Sequence, residues 1–287
     1  MRLLAAVMLS TAVAAQGTPA PAPPAAPTAV ADSIRAHRQG LAVWRMGNAG
    51  WVVKADDLAV SFDLELGMGN RLRPRAAAPE DLASEIDVAF ASHHHGDHCN
   101  GATIRALAAG SRTTFVLPAS CVAALGSFTL PSERLIVPEP LKPFEVKGIR
   151  VEPIHAIHGN QEFTVLTREP DFADKIRGNC GYVVTLGGKR FFHPGDSVLT
   201  EEHLGLQNID VQFVSPTVHN MFTDRSMILI NRLQPAYIFP QHFGTYRETD
   251  NNRFWTKGYP DELKEKLSAE LQARYHKLAI GEKYVID

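Results

Sequence analysis

Six consecutive residues, His93-His94-His95-Gly96-Asp97-His98, set four potential metal ligands in the spacing His-x-His-x-Asp-His. Imidazole nitrogens and a carboxylate oxygen are what a borderline cation such as zinc, iron(II) or manganese accepts. In extended backbone His93 and His95 share a face and His94 points away. Gly96 lets the chain turn, which brings Asp97 and His98 back to the same locus. The strand-like run Ile86-Asp87-Val88-Ala89-Phe90-Ala91 comes just before. The motif therefore falls at a strand end, where catalytic loops gather. The bland alternative is a histidine-rich loop that binds nothing.

The motif resembles that of the metallo-β-lactamase superfamily, and the resemblance implies further donors downstream. A histidine is expected after a later strand, and Val151-Glu152-Pro153-Ile154-His155-Ala156-Ile157-His158-Gly159 supplies two. Three apart in an extended strand, they face opposite ways, so one of them is expected to bind. His158, at the strand end, is the choice, and His155 is its neighbour. A bridging carboxylate is expected at Gly195-Asp196-Ser197, although that tripeptide is also ordinary turn chemistry. A last histidine is expected at His242, after Ala236-Tyr237-Ile238-Phe239-Pro240-Gln241. The resemblance thus implies one metal on His93, His95 and His158. A second falls on Asp97, His98 and His242, with Asp196 between the two.

Within the superfamily the chain resembles hydrolases related to L-ascorbate-6-phosphate lactonase. The opening Trp44–Val53 and Ala59–Asp63 carries that likeness, as do Val211–Thr217, Met221, Leu233-Gln234-Pro235 and Gln241–Thr245. Asn48 stands where that branch has histidine, and Leu64 where it has proline. Asp63 is read either as the acceptor for a ligand histidine or as a turn residue. His219 is read as a catalytic donor to a substrate oxyanion or as a surface-loop residue. His193 is read as a strand-face or supporting group, and His37, His203 and His276 as solvated.

The elements that must position these groups are mixed. Strands are expected at 41–46, 51–54, 58–63, 87–91, 113–117, 135–137, 149–154, 180–186, 190–193, 211–214 and 236–239. Helices are expected at 80–84, 101–109, 118–124, 198–204, 222–233 and 260–273. By resemblance this is an α/β protein, an αββα sandwich with the metals at one edge. Gly159–Asn179, polar and irregular, reads as a substrate lid with Phe163, Phe172, Lys175 and Arg177 as contacts.

The 287 residues are 45% hydrophobic and 21% charged, which suits one enzyme domain. A net charge of -2 gives no reason to expect nucleic acid as a partner. A basic start, an apolar run to Val13 and Ala12-Val13-Ala14 read as a signal peptide over 1–15, too short to span a membrane. An Ala/Pro-rich linker is expected over 16–39 and the hydrolase domain over 40–287. The protein is thus expected to be exported, periplasmic or secreted. Cys99, Cys121 and Cys180 are an odd set. Cys121 and Cys180 pair in an oxidising compartment, or all three are buried small hydrophobes.

The expected chemistry is hydrolysis of an ester, lactone or phosphodiester of a small molecule. Two divalent cations, zinc first and manganese or iron also accepted, lower the pKa of a water. Asp97, besides ligating, orients the nucleophile. The competing readings are a secreted β-lactamase, which lacks the bridging aspartate, and a mononuclear iron persulfide dioxygenase, which ignores the second site. The oligomeric state is not legible.

Overall fold

The computed structural model describes residues 27–158 and 178–287. The signal-peptide expectation and most of the proposed lid, including Phe163, Phe172, Lys175 and Arg177, lie outside the described residues.

The chain runs through helix α1 (Pro27–Ala36) into strands β1 (Leu41–Gly47), β2 (Gly50–Ala55), β3 (Leu58–Phe62) and β4 (Val88–Phe90). Helix α2 (Gly101–Ala109), strand β5 (Thr114–Val116), helix α3 (Ala119–Ala124) and strands β6 (Leu135–Ile136), β7 (Phe144–Val146) and β8 (Ile149–His155) follow. Next come β9 (Cys180–Leu186), β10 (Lys189–His193), α4 (Glu201–Gly205), β11 (Val211–Val214), α5 (Phe222–Leu233) and β12 (Tyr237–Pro240). Helices α6 (Arg253–Thr256), α7 (Pro260–Glu265) and α8 (Ala269–Ala273) precede the last strand, β13 (Lys283–Ile286).

Two sheets result, ordered β13-β1-β2-β3-β4-β5-β6 and β12-β11-β10-β9-β8-β7. Every residue of β1 and β2 is buried, as a sheet covered on both faces requires. Alternation divides these side chains. Val43, Trp51, Val53, Val60, Phe62 and Phe90 meet Val151, Tyr182, Val184, Phe213 and Phe239 between the sheets. Ala42, Trp44, Met46 and Val52 face outward onto Val30, Ala31 and Ile34 of α1 and Ile104 and Leu107 of α2. On the far side Val183 and Phe192 pack on Leu229 of α5, and Val214 and Ile238 pack on Ile230, Leu263 and Leu271. This is the expected αββα sandwich.

Strand direction sets the site. β3 and β4 run parallel, as do β10, β11 and β12. β1 is antiparallel to β2, and β2 to β3, so β1 ends at the same edge as β3. The same two-step reversal brings the end of β8 to the edge where β10 ends. Asn48, Asp63, His93–His98, His158, Asp196 and His242 all follow these strand ends.

Several expectations need correcting. The stretch read as linker contains α1, because Val30, Ala31 and Ile34 form one apolar stripe that covers the first sheet. The helix expected over 260–273 is two, since the Ser268 side chain accepts from the Leu271 amide and caps a new start. The helix expected at 198–204 begins at Glu201, behind a Thr200 cap. His37 and His203 are buried and His276 is half-buried. His37 is 8% exposed and edges onto Trp44, and His276 lies tilted against Tyr284 with ring centroids 4.3 Å apart. His203 is fully buried in the capping box of α4, where burial pushes its pKa down to about 4. Their sequence neighbours are polar, but their own positions fall on packed faces. Cys99, Cys121 and Cys180 are free and buried, so the Cys121–Cys180 pairing is not made.

Gly195, in the turn before Asp196, has φ +61°, and a Cβ there would lie 2.5 Å from Ser92 Cβ. Gly195→Ala is expected to lower stability by about 2–4 kcal/mol, from left-handed strain and overpacking together. A shifted denaturation midpoint checks this; an unshifted one shows that Ser92 can move aside.

Candidate metal centre

Ligand-type atoms of His93, His95 and His158 lie within 4.8 Å of one another, and so do those of Asp97, His98 and His242. These are the two trios the resemblance implied. Asp196 falls between them: its Oδ1 is 3.1 Å from His242 Nε2, and its Oδ2 is 3.3 Å from His98 Nε2 and 3.5 Å from His158 Nε2. Asp97 Oδ2 is 3.4 Å from His98 Nε2 and 3.6 Å from His242 Nε2. His155 is not brought in. It is half-buried, and its Nδ1 and backbone amide both bind Glu202, at 2.7 and 3.0 Å.

The surroundings determine which ring nitrogen faces inward. Asp63 is buried at the end of β3 and accepts from the Ser92 amide and hydroxyl and from His98 Nδ1, each at 2.7 Å. With its proton on Nδ1, His98 turns an Nε2 lone pair to the centre. The Ser92 hydroxyl is spent on Asp63, so it accepts from His93 Nδ1 at 3.0 Å, which turns His93 Nε2 inward. His242 Nδ1 donates to the Trp255 carbonyl at 2.7 Å, with the same result. His98 Nε2 and His242 Nε2 are then 3.1 Å apart, and His93 Nε2 and His95 Nδ1 3.0 Å apart. Lone pairs face each other so closely only across a cation, a proton or a metal. Two donors each about 2.0–2.1 Å from one tetrahedral zinc lie about 3.3 Å apart. The donor set and its spacing therefore fit a divalent metal in each trio.

Electrostatics agree. Burial works against ionising Asp97, yet His98 and His242 hold its pKa down to about 2. Burial likewise opposes a charged Asp196, and His242, His98 and His219 hold its pKa well below the usual range. Burial also opposes a charged His98, but Asp196, Asp97 and Asp63 raise its pKa well above the ordinary imidazole value. Asn48, Asp63 and His242 all adopt positive φ, at 43°, 42° and 62°. Backbone strain of this kind costs of order 1–3 kcal/mol per residue and gathers at functional sites.

His219 is 4% exposed, and its Nε2 lies 2.8 Å from Asp196 Oδ2. That is shorter than the distances from Asp196 to the other histidines, and ligand-type atoms of His158, Asp196 and His219 also lie within 4.8 Å of one another, with His219 Nδ1 3.2 Å from the Phe254 carbonyl. Asn220 Nδ2 donates to Asp196 Oδ1 at 2.8 Å, and Asn48 Nδ2 to Asp97 Oδ2 at 2.7 Å. His193 is buried, stacks on Phe62 and meets the Ala49 carbonyl at 3.0 Å, a packing role. Sequence reasoning missed Ser92, Asn220 and the carbonyl of Trp255. A serine beside the motif was a faint signal; a backbone oxygen from a distant helix leaves none.

The trios open onto a cavity of about 280 Å³. It is lined by His95, Asp97, His158, Asp196 and His219 together with Met68, Phe254 and Trp255. Bound water and substrate therefore have room beside the donors.

Comparison with known proteins agrees with this geometry. Residues 59–243 match the family model described as Beta-lactamase superfamily domain. A protein of Desulforamulus reducens named UPF0173 metal-dependent hydrolase is 28% identical over 207 residues, 70% of this chain and 83% of its own length. A Myxococcus xanthus protein of the same name is 27% identical over 253 residues, 84% of this chain and 83% of its own. Among solved structures, a metallo hydrolase from Ignicoccus hospitalis has a TM-score of 0.65 at 17% identity, covering 86% of this chain and 98% of that one. The chain belongs to the metallo-β-lactamase superfamily, among its metal-dependent hydrolases.

Proposed function

We propose that the site holds two divalent cations, zinc foremost, and hydrolyses an ester, lactone or phosphodiester of a small molecule. His93, His95 and His158 hold the first, Asp97, His98 and His242 the second, and Asp196 bridges them. The observation that carries this is the inward convergence of ring nitrogens in two trios with a shared carboxylate between them. When bound, such cations activate a water and polarise the oxygen of the attacked centre.

The chain's own residues do the rest. Asp63, Ser92 and the Trp255 carbonyl fix three imidazole tautomers, so His93, His98 and His242 need not reorient. Asn48 steadies Asp97, which orients the attacking water. His219 is held with Nδ1 3.2 Å from the Phe254 carbonyl and Nε2 between Asp196 and the cavity, where a proton taken up on Nε2 can be donated to oxygen charge developing on the substrate. His219→Ala is expected to lower kcat about 10²–10⁴-fold while elemental analysis finds the metals still bound. Loss of metal along with activity would instead make His219 a ligand.

The likeness to the L-ascorbate-6-phosphate lactonase branch supports a lactone or ester bond. Reconstitution with zinc, manganese or iron(II), followed by assay on lactone, phosphodiester and β-lactam panels, tests the reading. Turnover confined to β-lactams would contradict it. Export, proposed from residues 1–15, is checked by whether the protein fractionates outside the cytoplasm with its first residues removed.

A further inference from the structure

The cavity has two unlike kinds of lining. Donor-type side chains supply one. Met68, Phe254 and Trp255, all half-buried, supply the other. None of the described residues lining it is Lys or Arg. Phe254 and Trp255 sit on α6, whose Trp255 carbonyl also accepts from His242 Nδ1. The Phe254 ring lies edge-on to His219 at 5.9 Å, and Trp255 edge-on to His242 at 6.5 Å. Tyr246 backs the Trp255 ring at 5.5 Å. Tyr246 is itself held by Glu65. One short helix thus orients a donor histidine and supplies an apolar wall of two aromatic rings to the cavity beside the donors.

We propose that this wall selects substrates whose group next to the scissile bond is uncharged and apolar, such as aryl or branched-alkyl esters and lactones, over phosphorylated or carboxylated ones. This rests on the hydrolase reading of the same site. Aromatic side chains contribute large apolar contact area at fixed geometry. A phosphate or carboxylate placed against these rings would lose its hydration and gain no charged partner from them. The reaction adds the oxygen of water to the acyl carbon and breaks the acyl–oxygen bond. One proton of water stays with the carboxylic acid and the other goes to the leaving alcohol.

The test uses matched pairs on the metal-loaded full chain. Methyl 3-phenylpropionate and monomethyl succinate share a scissile bond and differ by phenyl against carboxylate. The phenyl ester is expected to have at least tenfold higher kcat/KM. Trp255→Ala and Phe254→Leu are expected to shrink that ratio by about tenfold, through KM, with metal content unchanged. Binding is read separately with two inert ketones, 4-phenyl-2-butanone and levulinate. Trp44 and Trp51 are fully buried, so a change in tryptophan emission reports Trp255. The phenyl ketone is expected to give a saturable change and levulinate none. Equal or stronger binding of levulinate, or preference for the succinate ester, overturns the proposal. Selective binding of the phenyl ketone without turnover of either ester supports the wall and counts against hydrolysis.

Discussion

Asp196→Asn is expected to remove at least one metal and most hydrolytic activity while the fold persists. The carboxylate reaches both trios, with Oδ1 3.1 Å from His242 and Oδ2 3.5 Å from His158. Two cations this near repel each other, and a shared anionic oxygen pair offsets that repulsion. An amide carries no charge, and its NH2 end would point a donor at imidazole lone pairs that already face inward. Losing a group that merely supports ligands costs about 10–100-fold in affinity or activity, so losing the bridge should cost at least the upper end of that range. The fold should survive, because the turn around Asp196 depends on the conformation of Gly195 and not on the charge. Retained metal and retained turnover, with β-lactams as substrates, would favour a β-lactamase-like enzyme that does not depend on this position.

His158→Ala and His155→Ala should give opposite phenotypes despite their closeness in sequence. His158 is 5% exposed and shares the first trio with His93 and His95. Its loss leaves two imidazoles and the bridge for one cation, so metal content and hydrolysis should fall together. His155 instead pairs with Glu202, with both side chains about a third exposed. A pair so exposed contributes about 0.2–1 kcal/mol to stability, so His155→Ala should keep its metals and its rate. Elemental analysis and steady-state rates of the two variants decide it. Exchanged phenotypes would place the first metal on the other face of β8.

The candidate donors were legible from one local motif and from the resemblance it raised. His93–His98 announces itself within six residues, and His158, Asp196 and His242 were expected from the superfamily's order of ligands after strand-length apolar runs. Strand alternation separated His155 from His158, and the strand-end position of His158 chose between them; in the structure His158 lies just beyond β8. The supports were illegible because they are long-range or main-chain. The Trp255 carbonyl reaches His242 from a helix of four residues with no periodicity to read. Asn220 reaches Asp196 across 24 positions. Most strands were legible from runs of β-branched and aromatic residues. β7 and β13 were not, since Phe144–Val146 is three residues long and Lys283–Ile286 is mostly exposed. α1 was hidden by alanine and proline, which mask the Val30–Ile34 stripe.

The central claim is a dinuclear centre, and metal stoichiometry tests it most directly. Purified full-length protein, reconstituted with zinc, manganese or iron(II) and freed of loose ions, is assayed by elemental analysis against protein concentration. The seven converging donors predict close to two metals per chain. A value that stays at one or below with every cation would contradict the two-metal account.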